Sequence, residues 1–241
     1  MPPPPQHVQA ALNGNRPDAI VPRTAAEIAT AARACVQSGA ASIHVHPRSG
    51  GGRESLDGSC IDATVAALRT AVPGTPIGVS TGAWIVPGVA ARLACIRSWT
   101  LLPDFASVNF DEAGCREVAA LLTERGVSIE AGLGDKRAAR HFVAQAGAFR
   151  IVRVLIEPQA RRVVEALATV SAIEAVLDAE DLPYPRLLHG VDGTAWPMVG
   201  AAGKRAYATR MGFEDTLFLP DGAPARSNAA LLRACQIILP S

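Results

Sequence analysis

Two histidines one residue apart, His44-Val45-His46, close the apolar run Ala40-Ala41-Ser42-Ile43. Side chains on a β-strand alternate faces, so both imidazoles point the same way. Placed at a strand end, before the loop Pro47-Arg48-Ser49-Gly50-Gly51-Gly52, they form half of a metal site with room above it. The simpler reading of an isolated pair is two unrelated histidines on a half-buried strand, so the metal reading needs a third ligand. Glu214 or Asp215, in the segment Arg210-Met211-Gly212-Phe213-Glu214-Asp215, supplies a carboxylate. Two imidazoles and one carboxylate with an open position suit catalytic zinc, and the same set suits non-haem Fe(II). Iron is the weaker choice, because nothing in the chain suggests an oxygenase fold. A binuclear amidohydrolase also opens on such a pair but needs two more strand-borne histidines. Only His189 is available, since His7 begins a strand and His141 lies in a helical pattern.

The elements that must position these groups follow from hydrophobic periodicity. Strands are expected near residues 7–13, 41–46, 76–80, 105–110, 127–131, 150–156, 186–191 and 207–211. Helices are expected near 24–38, 60–71, 87–97, 112–125, 135–146, 160–179, 195–203 and 227–237. Thr24-Ala25-Ala26-Glu27 reads as a capping box that opens the first helix, and Gly39 as its left-handed stop, a rhythm that recurs at Gly126 and Gly147. Eight βα units in succession predict an α/β chain folded as a single (β/α)8 TIM barrel, eight being the number that closes. A doubly wound open sheet is the rival. It usually has a glycine-rich first turn, whereas Asn13-Gly14-Asn15 is followed by no helix for about ten residues. One domain is expected over 1–241, with 1–6 as a proline-rich lead-in.

In such barrels chemistry sits at the C-terminal ends of the strands. The polar residues fall there: Asn13 to Arg16 after strand one, Ser80-Thr81-Gly82 after strand three, and Ser107 with Asn109 on strand four. Glu130 is expected to end strand five, Glu157 strand six and His189 strand seven. A buried polar group without a partner costs about 1–3 kcal/mol, so a polar residue at every strand end implies a wet, charged site. Other motifs fail. In Gly200 to Arg205 the first glycine of a phosphate loop is misplaced and Arg205 stands where Ser or Thr is needed, and Gly132-Leu133-Gly134 lacks the third glycine of a dinucleotide fingerprint.

Composition narrows the function classes. With 241 residues, 49% of them hydrophobic, the chain can bury one sizeable core. Its 23 basic and 22 acidic residues balance, with no basic stripe, so no nucleic-acid partner is expected. No run reaches the roughly 18–20 apolar residues that cross a bilayer. The opening Met1-Pro2-Pro3-Pro4-Pro5-Gln6 has no signal-peptide pattern, and five cysteines without a CxxC read as free thiols, so a cytoplasmic location is expected.

Together these motifs resemble the β-keto acid cleavage enzyme family, typified by the 3-keto-5-aminohexanoate cleavage enzyme. The strongest parts are His44-Val45-His46-Pro47-Arg48 with Gly52-Arg53-Glu54-Ser55-Leu56-Asp57, and Arg210 to Phe218 continuing to Gly222 and Ser227-Asn228-Ala229. Leu12-Asn13-Gly14, Ser80-Thr81-Gly82 and Ala106 to Phe110 support them. The resemblance implies one zinc ion per chain held by His44, His46 and Glu214, with acetyl-CoA as co-substrate and acetoacetate and a new acyl-CoA as products. It implies that Ser80, Ser107 and Asn109 grip the substrate, and that Arg210 and Asp215 form the proton-transfer pair. Glu130 is grouped with the substrate-binding residues, and a homo-oligomer, dimer or tetramer, is expected.

One departure matters. Arg16 stands where members acting on an amino-bearing substrate carry a glutamate. A cation there repels ammonium and attracts carboxylate, so a dicarboxylic β-keto acid is the expected substrate. The competing readings are a metal-dependent retro-aldol-type lyase that needs no CoA, and a non-catalytic metabolite-binding barrel.

Overall fold

The computed structural model describes residues 7–239; the expected proline-rich lead-in lies outside the described residues. Eight parallel strands close into a barrel in chain order: β1 (Val8–Ala11), β2 (Ser42–Val45), β3 (Ile77–Ser80), β4 (Phe105–Asn109), β5 (Ser128–Leu133), β6 (Ile151–Ile156), β7 (Arg186–Leu188) and β8 (Ala208–Met211). The ring is completed by β1 against β8, with Gln9 opposite Arg210 and Ala10 opposite Met211. Helices α1 (Ala25–Gln37), α2 (Gly58–Ala71), α3 (Val89–Ser98), α4 (Cys115–Glu124), α5 (Lys136–Val143), α6 (Val163–Ala179), α7 (Ala195–Lys204) and α8 (Asn228–Ile238) alternate with them. The (β/α)8 expectation holds. No helix among the described residues is long and apolar enough to cross a membrane.

Local chemistry explains several element ends. Thr24 and Glu27 form the reciprocal capping box of α1, and Gly39, at φ +90°, releases its C-terminus into the next strand. Gly126 plays the same part at φ +78°. Gly147 does not: α5 stops at Val143, and Ala146–Ala148 make a separate 3-10 turn.

Strand periodicity divides the burial. Outward residues such as Ile43, Val45, Ile77, Val79, Ile129 and Val154 pack with the helices into the main apolar core. The inward face is largely polar. Its lower layer centres on Glu130, whose carboxylate accepts from Gln9 Nε2 (3.0 Å), Arg153 Nε (2.5 Å) and Ser107 Oγ (2.8 Å). Below it the Arg153 guanidinium lies 4.6 Å over the Phe105 ring. That ring occupies the place a Cβ would take at Gly78, 2.0 Å from its nearest carbon. Phe105, Arg153 and Gln9 are all buried and plug the N-terminal end of the barrel.

Burial favours the neutral acid at Glu130, but Arg153 and His44 outweigh it and lower its pKa to about 2. The unfolded chain, near 4.5, therefore binds the proton more readily, and the stability this group contributes above pH 4.5 is lost as pH falls toward 2. The difference is worth about 3 kcal/mol. Denaturant titrations between pH 5 and 2 are expected to show this loss, and Glu130→Gln to be less stable at pH 7 with a flatter acid slope.

Candidate metal centre and active site

The two histidines lie on the inward face of β2 and just past its end, both buried. Their Nε2 atoms face each other at 3.1 Å. Glu214 reaches the same point from the loop after β8, with Oε1 3.3 Å from His46 Nε2 and Oε2 3.6 Å from His44 Nε2. One ligand atom from each residue falls within 4.8 Å of the others.

Backbone packing delivers Glu214. Beyond β8 the chain crosses the end of β1 at Gly212, where a Cβ would stand 1.9 Å from the Ala11 carbonyl oxygen. Gly14, at φ +53°, leaves space for the Glu214 side chain, whose Cγ would be 2.5 Å from a Cβ there. Asn228 joins the two segments, accepting from Phe213 N (2.7 Å) and donating to the Leu12 carbonyl (3.0 Å).

The far nitrogen of each histidine meets an acceptor. His44 Nδ1 lies 3.4 Å from Ser107 Oγ, which itself donates to Glu130. His46 Nδ1 is hydrogen-bonded to Glu54. With Nδ1–H donated on both rings, both Nε2 lone pairs face Glu214, whose Oε2 is buried without a hydrogen-bond partner. Two lone pairs at 3.1 Å and an unpartnered carboxylate oxygen are mutually repulsive unless a cation or a proton lies among them. Electrostatics agree. Burial lowers the His44 pKa to about 4, whereas at His46 burial is overcome by Glu214 and Glu54 and the value rises to about 9. Burial would raise Glu214, yet Arg210 and the two imidazoles hold it well below the ordinary carboxylate range. The three residues therefore fit a divalent cation.

Beside them Arg210 spans both carboxylates: Nη2 meets Glu214 Oε1 at 2.7 Å, and Nε and Nη2 meet Asp215 Oδ1 at 3.1 and 3.0 Å. Asp215 is fully buried and its Oδ2 has no hydrogen-bond partner. Ser80 follows along the rim, its hydroxyl accepting from Gly82 N at 3.3 Å. Asn109 donates Nδ2 to Glu112 (3.0 Å), which aims its Oδ1 at the gap left by Gly132. Ser107 stands next to His44.

Two expected placements change. Strand β5 runs on to Leu133, so Glu130 lies a layer beneath the mouth with its oxygens already taken. Arg16 donates Nε to the Glu214 carbonyl (3.1 Å) and Nη2 to the Asp215 carbonyl (3.0 Å) and Asp192 (2.6 Å), clamping the loop that bears the ligands. Glu54 lies in the Gly52 to Asp57 motif, but sequence alone assigned it no role at the site. Its signal was the glycine run between Arg48 and Glu54, a turn that folds the chain back: Ser49 N bonds to Arg53 O and Arg48 bridges Glu54 antiparallel. Glu157 and His189 also reach this mouth. His189 Nδ1 is 3.1 Å from Asp215 Oδ1, and Nε2 is 3.5 Å from Glu157 Oε2.

Residues 5–240 match the model of the beta-keto acid cleavage enzyme family. This chain belongs to that family. Solved structures show the fold alone at this distance. ObcA in its apo form is 16% identical with a TM-score of 0.70, covering 89% of this chain and 60% of its own. The tryptophan synthase alpha chain of Legionella pneumophila subsp. pneumophila is 13% identical with a TM-score of 0.59, covering 97% and 91%. The 3-dehydroquinate dehydratase of Geobacillus kaustophilus is 14% identical with a TM-score of 0.58, covering 86% and 81%. The chain thus spans about 60% of the length of ObcA.

Metal analysis of the purified family member is expected to give one divalent ion per chain. His44→Ala, His46→Ala and Glu214→Gln should each abolish stoichiometric uptake while circular dichroism retains the barrel signal. Uptake that persists in all three would place the ion elsewhere.

Proposed function

We propose that this protein is a zinc-dependent β-keto acid cleavage enzyme that condenses a β-keto acid with acetyl-CoA, giving acetoacetate and a new acyl-CoA. The observation that carries the reading is the Arg210–Asp215 pair packed directly against the His44, His46 and Glu214 group. A zinc ion held by those three residues would supply Lewis acidity toward the keto oxygen of the substrate.

The chain's own groups account for the proton and the orientation. Asp215 keeps Oδ1 on Arg210, leaving Oδ2 free to take the α-proton of the keto acid. Burial disfavours charge on Arg210, but Asp215 and Glu214 raise its pKa and hold it cationic, which fixes the base in place. Ser80 has a hydroxyl proton to offer the substrate carboxylate, and Ser107 and Asn109 continue that wall. The carbanion formed attacks the thioester carbonyl, expelling CoA thiolate. The thiolate then adds to the original ketone, and cleavage of the carbon–carbon bond releases the new thioester. The acetoacetate carbanion takes its proton back from Asp215, so atoms and charge balance.

A cavity of about 770 Å³, lined in part by the Glu54 and Trp84 that pack on His46, supports a large anionic co-substrate. Arg16, Arg23, Arg48 and Arg53 line it together with Glu54 and Trp84. Arg23 and Arg48 spend their guanidinium hydrogen bonds on backbone carbonyls rather than carboxylates, so their charge remains for phosphate. Arg16 pairs with Asp192, whose side chain is 68% exposed. Such a pair is weak, and a second substrate carboxylate can displace it, which supports a dicarboxylic β-keto acid. All five cysteines are free thiols, in keeping with a cytoplasmic location. Assembly as a homo-oligomer is proposed from the family.

Turnover of β-keto acids is expected only with acetyl-CoA present; cleavage without it would favour a retro-aldol lyase. Asp215→Asn should lower kcat roughly 10²- to 10⁴-fold with zinc content unchanged. A β-keto diacid should be preferred over an amino-bearing β-keto acid, and Arg16→Ala should erase that preference; the opposite order in the parent enzyme would refute the assignment.

A further inference from the structure

His46 has two ring nitrogens, and a neutral imidazole carries a single N–H. Nε2 is the atom that looks toward His44 and Glu214, at 3.1 and 3.3 Å. A proton there would block the site, whereas a proton on Nδ1 would open it. Nδ1 is bonded to Glu54 Oε1. We infer that Glu54 is a positioning residue for the metal centre: its carboxylate takes the Nδ1–H of His46 and fixes the tautomer and ring plane that turn the Nε2 lone pair onto the cation. The inference rests on reading His44, His46 and Glu214 as the ligands.

Glu54 is built for that task. Its side chain is 6% exposed, and His46 is the one basic side chain within ion-pair distance of it among the described residues. A carboxylate withdrawn from water needs compensation, and here it comes through the imidazole from whatever lies beyond the ring. Its other oxygen, Oε2, accepts from Trp84 Nε1 at 3.1 Å, so the carboxylate is held from both sides. The antiparallel bridge to Arg48 ties its backbone to the segment just past His46. Trp84 also lies over the imidazole, with ring centroids 6.3 Å apart and planes 25° from parallel, limiting rotation. His44 has a different support, a serine hydroxyl relaying to Glu130. Of the two ligand histidines, His46 alone meets a carboxylate at Nδ1. Such outer partners raise ligand basicity and typically contribute 10- to 100-fold in metal affinity.

The test titrates zinc chloride into metal-stripped full-length protein, comparing the parent with Glu54→Gln and Glu54→Ala. Glu54→Ala is expected to weaken zinc binding roughly 10- to 100-fold. Glu54→Gln keeps an oxygen acceptor and is expected to recover part of that loss, which a purely structural role would not grade in this way. In the zinc-loaded parent, proton NMR should show a downfield, slowly exchanging Nδ1–H on His46, retained in Glu54→Gln and lost in Glu54→Ala. Equal zinc affinity in all three proteins, or an unchanged Nδ1–H signal in Glu54→Ala, would overturn the positioning role. If the parent takes up no zinc, or His46→Ala takes it up equally, the ligand assignment itself fails, and that result is distinct from the first.

Discussion

The end of β1 and the start of the loop after β8 touch backbone to backbone, with Gly212 packed on the Ala11 carbonyl. No side chain fits between them. This crossing lets a carboxylate on one strand's loop reach over a neighbour to a histidine pair two strands away. The surrounding contacts guard it: Glu214 N bonds to Ala11 O, Asn228 staples both segments, and Arg16 holds the carbonyls of Glu214 and Asp215. Ligand sets and catalytic pairs tolerate errors of about 0.5 Å, so the proposed metal site would depend on the rigidity of this backbone.

Above that crossing, Arg210 holds the neighbouring carboxylates in place before any ligand arrives. Arg210 is shared by Glu214 and Asp215, which separates the roles of two adjacent carboxylates: one turns toward the imidazoles and the other keeps an oxygen free. Glu130 and Arg153 neutralise each other one layer down. Preorganised groups of this kind need no reorientation during reaction, which is where fixed dipoles and charges help most.

Much of this was legible in the chain. A period of two was enough to put His44 and His46 on one face, and eight βα repeats closed the barrel that brings β8 beside β1. Periodicity assigns a side chain to a face but not to a depth, which is why Glu130 was expected at the mouth and lies beneath it. It also says nothing of turns that double back: Glu54 is eight residues from His46 in sequence, yet a glycine-rich hairpin returns it to the imidazole. Gly147 shows the converse error, since a glycine in the expected position met a helix that had already ended. The clamp from Arg16 to Asp192 joins loops 176 residues apart, a pairing no local pattern encodes.

Among the described residues, the plug of Phe105, Arg153 and Gln9 closes the N-terminal end of the barrel opposite the strand ends that carry the polar groups. Whatever enters first sits deepest, and whatever enters last must back out before it. In the proposed exchange between an acid and a bulky thioester, such a dead end would impose a queue, the small molecule at the bottom leaving after the large one has cleared the threshold.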